Sequence, residues 1–370
     1  MFRWTPALVE QSLVARPPDA PVITAGSVRP LVPGVDLWDH WPVLTEDGQL
    51  ARIAGGALVV ALAAPRTGDP DSRHAVARLR LLFRRAGNWR DLGPMLPDGF
   101  SPGSREWAGS ATVDRTGSRL TLYFTAAGVR GEATLGYEQR LCVADADVSV
   151  VDDAVALSGW SRPTEFVWPD GTIYQTDLAG GGAVGTIKAF RDPFHFRTPR
   201  DATDRVLFTG SRAGAGSDWN GLVGLARREG DRWTTMPPLV DATGVNNELE
   251  RPHLVWWDAR AYLFWSTQAK VFAPGLNGLT GLYGLVADRL SGPWRPLNGH
   301  GLVFANPAAA PMQAYSWQVL PDLRVWSFAD MVGLPGSPAT IAQARSAFAG
   351  TPAPPLKLAL DGDRAVLARP

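Results

Sequence analysis

Apolar and polar residues alternate along this chain in short runs, and glycine, proline, asparagine and aspartate cut the runs apart. The pattern predicts β-strands at 57–63, 78–83, 119–125, 206–210, 221–226, 254–257, 262–266, 282–287 and 324–328. Many follow one another at about 8–12 residues, a spacing that leaves room for tight turns. Trp257-Asp258-Ala259-Arg260-Ala261-Tyr262 reads as one such hairpin connection. No amphipathic helical pattern persists beyond about twelve residues. The 39 Gly and 31 Pro also oppose long helices. Gly180-Gly181-Gly182 reads as a turn. Residues 1–35 differ: they are Pro-rich and weakly patterned, and predict an extended arm with one short helix at 5–15.

A degenerate repeat overlies the strands. A turn, then Trp, then a polar residue recurs at Gly87-Asn88-Trp89-Arg90, Gly230-Asp231-Arg232-Trp233-Thr234 and Ser291-Gly292-Pro293-Trp294-Arg295. Each follows an apolar run by a few residues. Radially repeated four-stranded blades produce such a pattern, and roughly 16–20 short strands would make four or five of them. A large β-sandwich would use the same strands. Either way the expectation is an all-β chain, with 36–370 as one domain behind the arm.

The chain of 370 residues carries 36 Lys plus Arg against 36 Asp plus Glu. A zero net charge argues against nucleic acid, whose phosphates need clustered positive charge. It argues equally against electrostatic binding to an anionic membrane. No run approaches the roughly 20 apolar residues of a membrane span. The opening Met1-Phe2-Arg3-Trp4-Thr5-Pro6 lacks the apolar core of a signal peptide. The single cysteine, Cys142, excludes an intrachain disulfide, and its strand context predicts packing rather than catalysis. Fifteen Trp change the picture, because some of them flank carboxylates.

Three segments place acids among aromatics, arginine and proline. Val35-Asp36-Leu37-Trp38-Asp39-His40-Trp41-Pro42 sets Asp39 between tryptophans. A turn with Asp39 capping a backbone amide would give the same string. In Phe190-Arg191-Asp192-Pro193-Phe194-His195, Pro193 predicts an extended Asp192, with Arg191 and Asp192 on opposite sides of the backbone. A surface ion pair in a turn is the plain alternative. In Asn246-Asn247-Glu248-Leu249-Glu250-Arg251-Pro252-His253, a strand would put Glu248 and Glu250 on one face, about 7 Å apart. Their repulsion raises one pKa, which suits a general acid, while Arg251 can keep a neighbour charged. A solvated strand face would read the same.

Paired carboxyl groups are what glycoside chemistry requires, one as nucleophile and one as acid and base. The 5 His are scattered without ligand spacing, which opposes a histidine metal site. Neither a Gly-x-Ser-x-Gly elbow nor a phosphate loop is present. A non-catalytic carbohydrate-binding propeller would share the Trp content, yet it would not need three acids in three such settings.

Taken in order, these segments resemble glycoside hydrolase family 68, the levansucrases, inulosucrases and related β-fructofuranosidases. The resemblance runs from about Val35 to Phe328. Glu106-Trp107-Ala108-Gly109-Ser110-Ala111, Tyr137-Glu138-Gln139-Arg140 and Tyr315-Ser316-Trp317 extend it. It implies a five-bladed β-propeller with its active site in the central channel. It implies Asp39 as nucleophile, Asp192 as transition-state stabiliser and Glu250 as acid/base. It implies that Trp38, Trp107, Arg191, Glu248 and Arg251 serve substrate binding, and that Tyr315 hydrogen-bonds the catalytic aspartate. Sucrose and fructo-oligosaccharide acceptors are the implied partners, and no cofactor is implied. The resemblance implies a secreted or periplasmic location.

Departures are expected to matter. Ala108 stands where many Gram-positive members have Ser. Asn247 stands where they have an Asp that helps bind calcium, so no metal is expected. Eighteen residues past Glu250 stands Gln268, where the family often has Arg or His on the glucosyl side. The compact length resembles the Gram-negative branch. Whether transfer or hydrolysis dominates stays open at this point.

Overall fold

The computed structural model describes residues 1–15, 17–152, 154–178 and 187–368. The turn expected at Gly180-Gly181-Gly182 lies outside the described residues.

The described residues form five sheets, each the blade of a five-bladed propeller. All nine strands expected from the pattern fall inside observed strands. The innermost strands are Val35–Pro42, Arg105–Val113, Phe190–Thr198, Glu250–Trp257 and Ala314–Val319. Each leads into antiparallel neighbours that step outward. The second strands, such as Ala57–Pro65 and Arg260–Thr267, are buried almost throughout. Both their faces pack against neighbouring blades, so their runs are continuously apolar rather than alternating.

The Trp repeat marks one place in this plan. Trp89 and Trp233 each begin an outer strand just after a two-residue hairpin turn, at Ala86-Gly87 and Gly230-Asp231. Trp294 directly precedes the outer strand Arg295–Pro296 of blade 4. Gly87 and Gly230 have φ of 86° and 62°, which such turns demand and glycine supplies at low cost.

The N-terminal residues contact two blades. Phe2–Arg3 pairs parallel with Val240 and Asp241 at the outer edge of blade 3. Trp4 is buried against Trp265, Phe272 and Tyr283 of blade 4. A helix at Pro6–Ala15 follows. Among the described residues no strand is shared between blades 5 and 1, where the ring closes. There Arg345 Nη2 donates to the buried Asp36 Oδ1 at 3.0 Å, and Arg66 lies 3.8 Å from the same oxygen.

Cys142 sits in Gln139–Val151, fully buried, and burial pushes its thiol up to about 12. It is a packing residue.

Candidate active site

All five innermost strands break register at the same level of the channel. The bulges fall between Leu37 and His40, Trp107 and Gly109, Arg191 and Phe194, Glu250 and His253, and Tyr315 and Gln318. A bulge re-aims side chains that a regular pleat would send into the neighbouring blade. Here it brings Trp38 and Asp39, Ala108, Asp192, Arg251 and Ser316 into the broken stretches, with Trp107 at the edge of one.

Three of these residues are left-handed: Asp192 at φ 61°, Arg251 at 49° and Ser316 at 61°. Each costs about 1–3 kcal/mol for a non-glycine residue. The extended Asp192 expected from Pro193 is therefore corrected. Proline disfavours the right-handed helical region for its predecessor, and Asp tolerates the left-handed one. The bent residues hold one another. Asp192 N donates to Thr125 Oγ1 at 2.9 Å, and Arg251 N donates to Asp192 Oδ2 at 3.1 Å. Thr209 Oγ1 lies 3.1 Å from Asp192 Oδ2 and 2.9 Å from Leu249 O.

Arg251 is the hub. Nη1 donates to Ser316 Oγ at 2.8 Å, and Nη2 to Gln318 Oε1 at 2.8 Å and His40 O at 3.1 Å. Its guanidinium lies 5.4 Å from the centre of the Trp41 ring. These bonds tie blade 4 to blades 1 and 5. They commit the guanidinium to protein acceptors, so Arg251 positions and charges the site rather than offering free donors to a ligand. Its charge acts most on Asp39. Burial pushes the Asp39 carboxyl up to about 6; Arg251 pulls it back, and Glu250 and Asp192 push it further up. Burial likewise holds Asp192 above the ordinary carboxylate value, against the pull of Arg191.

Glu250 is gripped from two sides. Arg191 Nη2 donates to its Oε1 at 2.8 Å, and Tyr315 Oη donates to its Oε2. The tyrosine expected on the catalytic aspartate is thus on the glutamate instead. The bulge between Tyr315 and Gln318 turns the phenol toward blade 4, while Ser316 bonds Asp39. Glu248 Oε2 lies 3.6 Å from Arg191 Nη2, so the two glutamates share one arginine. Burial is the largest cause holding Glu248 above its ordinary value; Arg191 opposes it and Glu250 adds to it. Burial and Glu250 hold the Tyr315 hydroxyl well above the ordinary phenol value, and Gln268, which lies near it, pulls it down.

The two tryptophans differ. Trp38 is 2% exposed, its ring 5.9 Å edge-on from His74 and 5.6 Å from the Arg73 guanidinium. Trp107 is half-buried, with Arg105 5.6 Å over its ring and an indole N–H that has no partner.

Sequence reading missed several supports. Thr125 and Thr209 hold Asp192. Gln139 accepts from Phe190 N at 3.1 Å and donates to Lys188 O at 2.7 Å, fixing the start of the Arg191 strand. His253 Nε2 accepts from Val319 N at 2.8 Å while Nδ1 donates to Arg251 O at 2.9 Å, joining blades 4 and 5. Their signal was a polar residue inside an apolar strand, which buried chains tolerate only when it is bonded. Asn247 Oδ1 accepts from Lys188 Nζ at 3.1 Å, and the same ammonium reaches Asn220 Oδ1 at 3.0 Å. Asn247 is thus bonded to an ammonium of the chain itself. Among the described residues no group of three or more His, Cys, Asp and Glu could hold a metal.

The site therefore offers carboxyl groups on three blades, of which Asp39 and Asp192 face Arg251 and Glu250 sits between Arg191 and a phenol. The levansucrase/invertase family model matches residues 12–221 and 216–369. A levansucrase of Erwinia amylovora is 32% identical over 376 residues, covering 90% of this chain and 86% of that protein. The kestose-bound inulosucrase of Halalkalicoccus jeotgali superposes with a TM-score of 0.90 at 36% identity, covering 99% of this chain and 95% of that one. The β-fructofuranosidase of Microbacterium saccharophilum K-1 gives 0.83 at 26% identity, covering 100% and 83%.

Proposed function

The chain belongs to the levansucrase/invertase family, glycoside hydrolase family 68, and we propose that it splits sucrose and passes the fructosyl unit to sugar acceptors or to water. It is a sucrose-dependent fructosyltransferase.

In this reading Asp39 is the nucleophile. Arg251 and the Ser316 hydroxyl favour its anion, which attacks the anomeric carbon of the fructosyl unit. Glu250 gives its proton to the glycosidic oxygen as glucose leaves. Asp192 stays non-covalent and grips ring hydroxyls as oxocarbenium-like charge develops, a contact that strengthens in the transition state. Glu250 then takes the proton of the incoming hydroxyl, and two displacements retain configuration. Trp38 and Trp107 wall the fructosyl unit, and Arg191 and Glu248 orient the substrate. The observation that carries the reading is the double grip on Glu250. Arg191 steadies the anion, and the Tyr315 hydroxyl can follow the proton on and off the carboxyl.

Incubation with sucrose tests it. Free glucose in excess of free fructose means transfer to sugars. Equal amounts mean that the same site is a hydrolase, and release of neither sinks the reading. Export is part of the proposal, as the resemblance implies. Sucrose-splitting activity confined to the cytosol would remove that part. Among the described residues no helix is long and apolar enough to cross a membrane.

A further inference from the structure

The innermost strands continue past their bulges, and their far ends surround a second cavity of about 850 Å³. Blades 3 and 5 enter it at Phe194 and Gln318, where their pairing resumes after the bulge. Blade 4 enters it at Leu254, one residue past its own bulge. Blades 1 and 2 add the chain just beyond their inner strands, including Glu46 and Arg115. Asp39, Asp192 and Glu250 do not line it. The cavity thus lies on the other side of the bulged layer from the catalytic carboxylates.

Its polar groups divide by what is already bonded. The acids have donors. Glu46 Oε2 accepts from Arg197 Nη1 at 2.8 Å, and Asp201 Oδ1 from Arg205 Nη1 at 2.8 Å. Asp114 Oδ1 accepts from Ser118 N at 2.9 Å, and Asp47 accepts from the Thr45 hydroxyl. The groups left over donate. The Arg115 and Arg200 guanidiniums make no hydrogen bond or ion pair with any described residue. The indole N–H of the half-buried Trp256 has no partner among them either. Gln318 is 5% exposed, and its Oε1 accepts from Arg251 Nη2 at 2.8 Å. Its Nε2 bonds no described residue. A buried amide left half-bonded is costly until something completes it. Gln49, exposed at the rim, can donate or accept. A cation entering here would meet two unpaired guanidiniums. A polyol would bring hydroxyl protons to acids that already have donors. An oxyanion has only acceptors, which is what the free groups call for.

We infer that this cavity binds an oxyanion, a carboxylate or a phosphate, and that Gln318 carries its occupancy to the catalytic floor. An amide bonded to the anion through Nε2 and to Arg251 through Oε1 is fixed in one orientation. Arg251 is then held at Ser316 Oγ and His40 O, where its charge favours the Asp39 anion. The binding site stands apart from the proposed function; only the link to turnover rests on that reading.

The test is calorimetric titration of the purified chain at constant ionic strength, with inorganic phosphate and with citrate. Saturable binding of at least one is expected, and the tighter of the two tells phosphate from carboxylate as the source. Gln318→Glu keeps an oxygen for Arg251 and replaces the Nε2 donor with an acceptor. The double variant Arg115→Ala/Arg200→Ala removes both free guanidiniums. Each should raise Kd roughly tenfold or more, the size expected when a hydrogen bond to a charged group is lost. Arg115 and Arg200 are exposed, so the double variant decides if Gln318→Glu fails to fold. No saturable binding, or an unchanged Kd in the folded variants, would overturn the site. The link is read in sucrose splitting. The saturating anion should raise the wild-type kcat about fivefold, the low end of coupling between sites, with its half-effect at the Kd. A bound anion that leaves kcat unchanged overturns the link. A wild type that splits no sucrose overturns the proposed function and the link with it, while the calorimetry still decides the site.

Discussion

The floor of the channel and its surroundings are built on opposite principles. On the floor the side chains are locked to one another. Arg251 alone bonds Ser316, Gln318 and His40, and its backbone N–H bonds Asp192. Three non-glycine residues there accept left-handed backbone. Elsewhere, Lys270 on the turn after Arg260–Thr267 and Asp330 near the end of Arg324–Met331 make no side-chain hydrogen bond or ion pair among the described residues. Both regions are polar and both sit at strand ends. The difference is that the floor must hold carboxylates in fixed relation while charge moves, and preorganisation there removes reorganisation from the reaction.

The largest effect should come from cutting the floor. Asp39→Ala removes the nucleophile, and kcat should fall by more than about 10⁴-fold. Far-UV circular dichroism should be unchanged, because burial penalises this carboxylate rather than rewarding it. Near-wild-type turnover would end the nucleophile assignment, and with it the contrast with the surroundings.

The next effect sharpens the contrast through pH. Asp39 must be ionised to attack, and its carboxyl stands near 6. The acid limb of kcat/KM for sucrose should therefore lie near pH 6, with activity lost as pH falls through it. An acid limb near pH 4, the ordinary carboxylate range, would show that burial does not control the nucleophile.

The smallest effect concerns the bolts under the floor. Burial pushes His253 down to about 3; its bond to the Arg251 carbonyl opposes this and the Arg251 charge adds to it. The unfolded value is about 6.5. A lowered histidine contributes stability that is full above pH 6.5 and is lost as pH falls toward 3, where the unfolded chain binds the extra proton. His253→Asn should lower Tm at pH 7, and the gap to wild type should narrow as pH falls from 6.5 to 4. A constant gap would mean that packing, not the proton, explains the loss.

Much of this was legible locally. The nine expected strands lie inside real ones because apolar runs ended by Gly, Asp and Pro mark a strand and its turn without outside help. The Trp repeat was visible for the same reason, though its meaning as the entry to outer strands was not. The acids Asp39, Asp192 and Glu250 stood out because charged residues among tryptophan, arginine and proline are unlike a solvated surface. Thr125 and Thr209 did not stand out, and Gln139 and His253 stood in quoted segments without an assigned role, since nothing in a strand's own sequence says which distant group its hydroxyl, amide or imidazole will meet.

The chain's sequence by itself determined the strands, their turns, the absence of a dominant charge and which acids stand among tryptophan, arginine and proline, all of which depend on residues close together. Only the tertiary structure decided that Tyr315 bonds Glu250 rather than the aspartate, that Asp192 turns left-handed and that Arg251 is spent on protein. Those relations join blades far apart in sequence, and they exist because the closing ring stacks five bulged strands at one depth, where buried polar groups must find partners in whichever blade lies opposite.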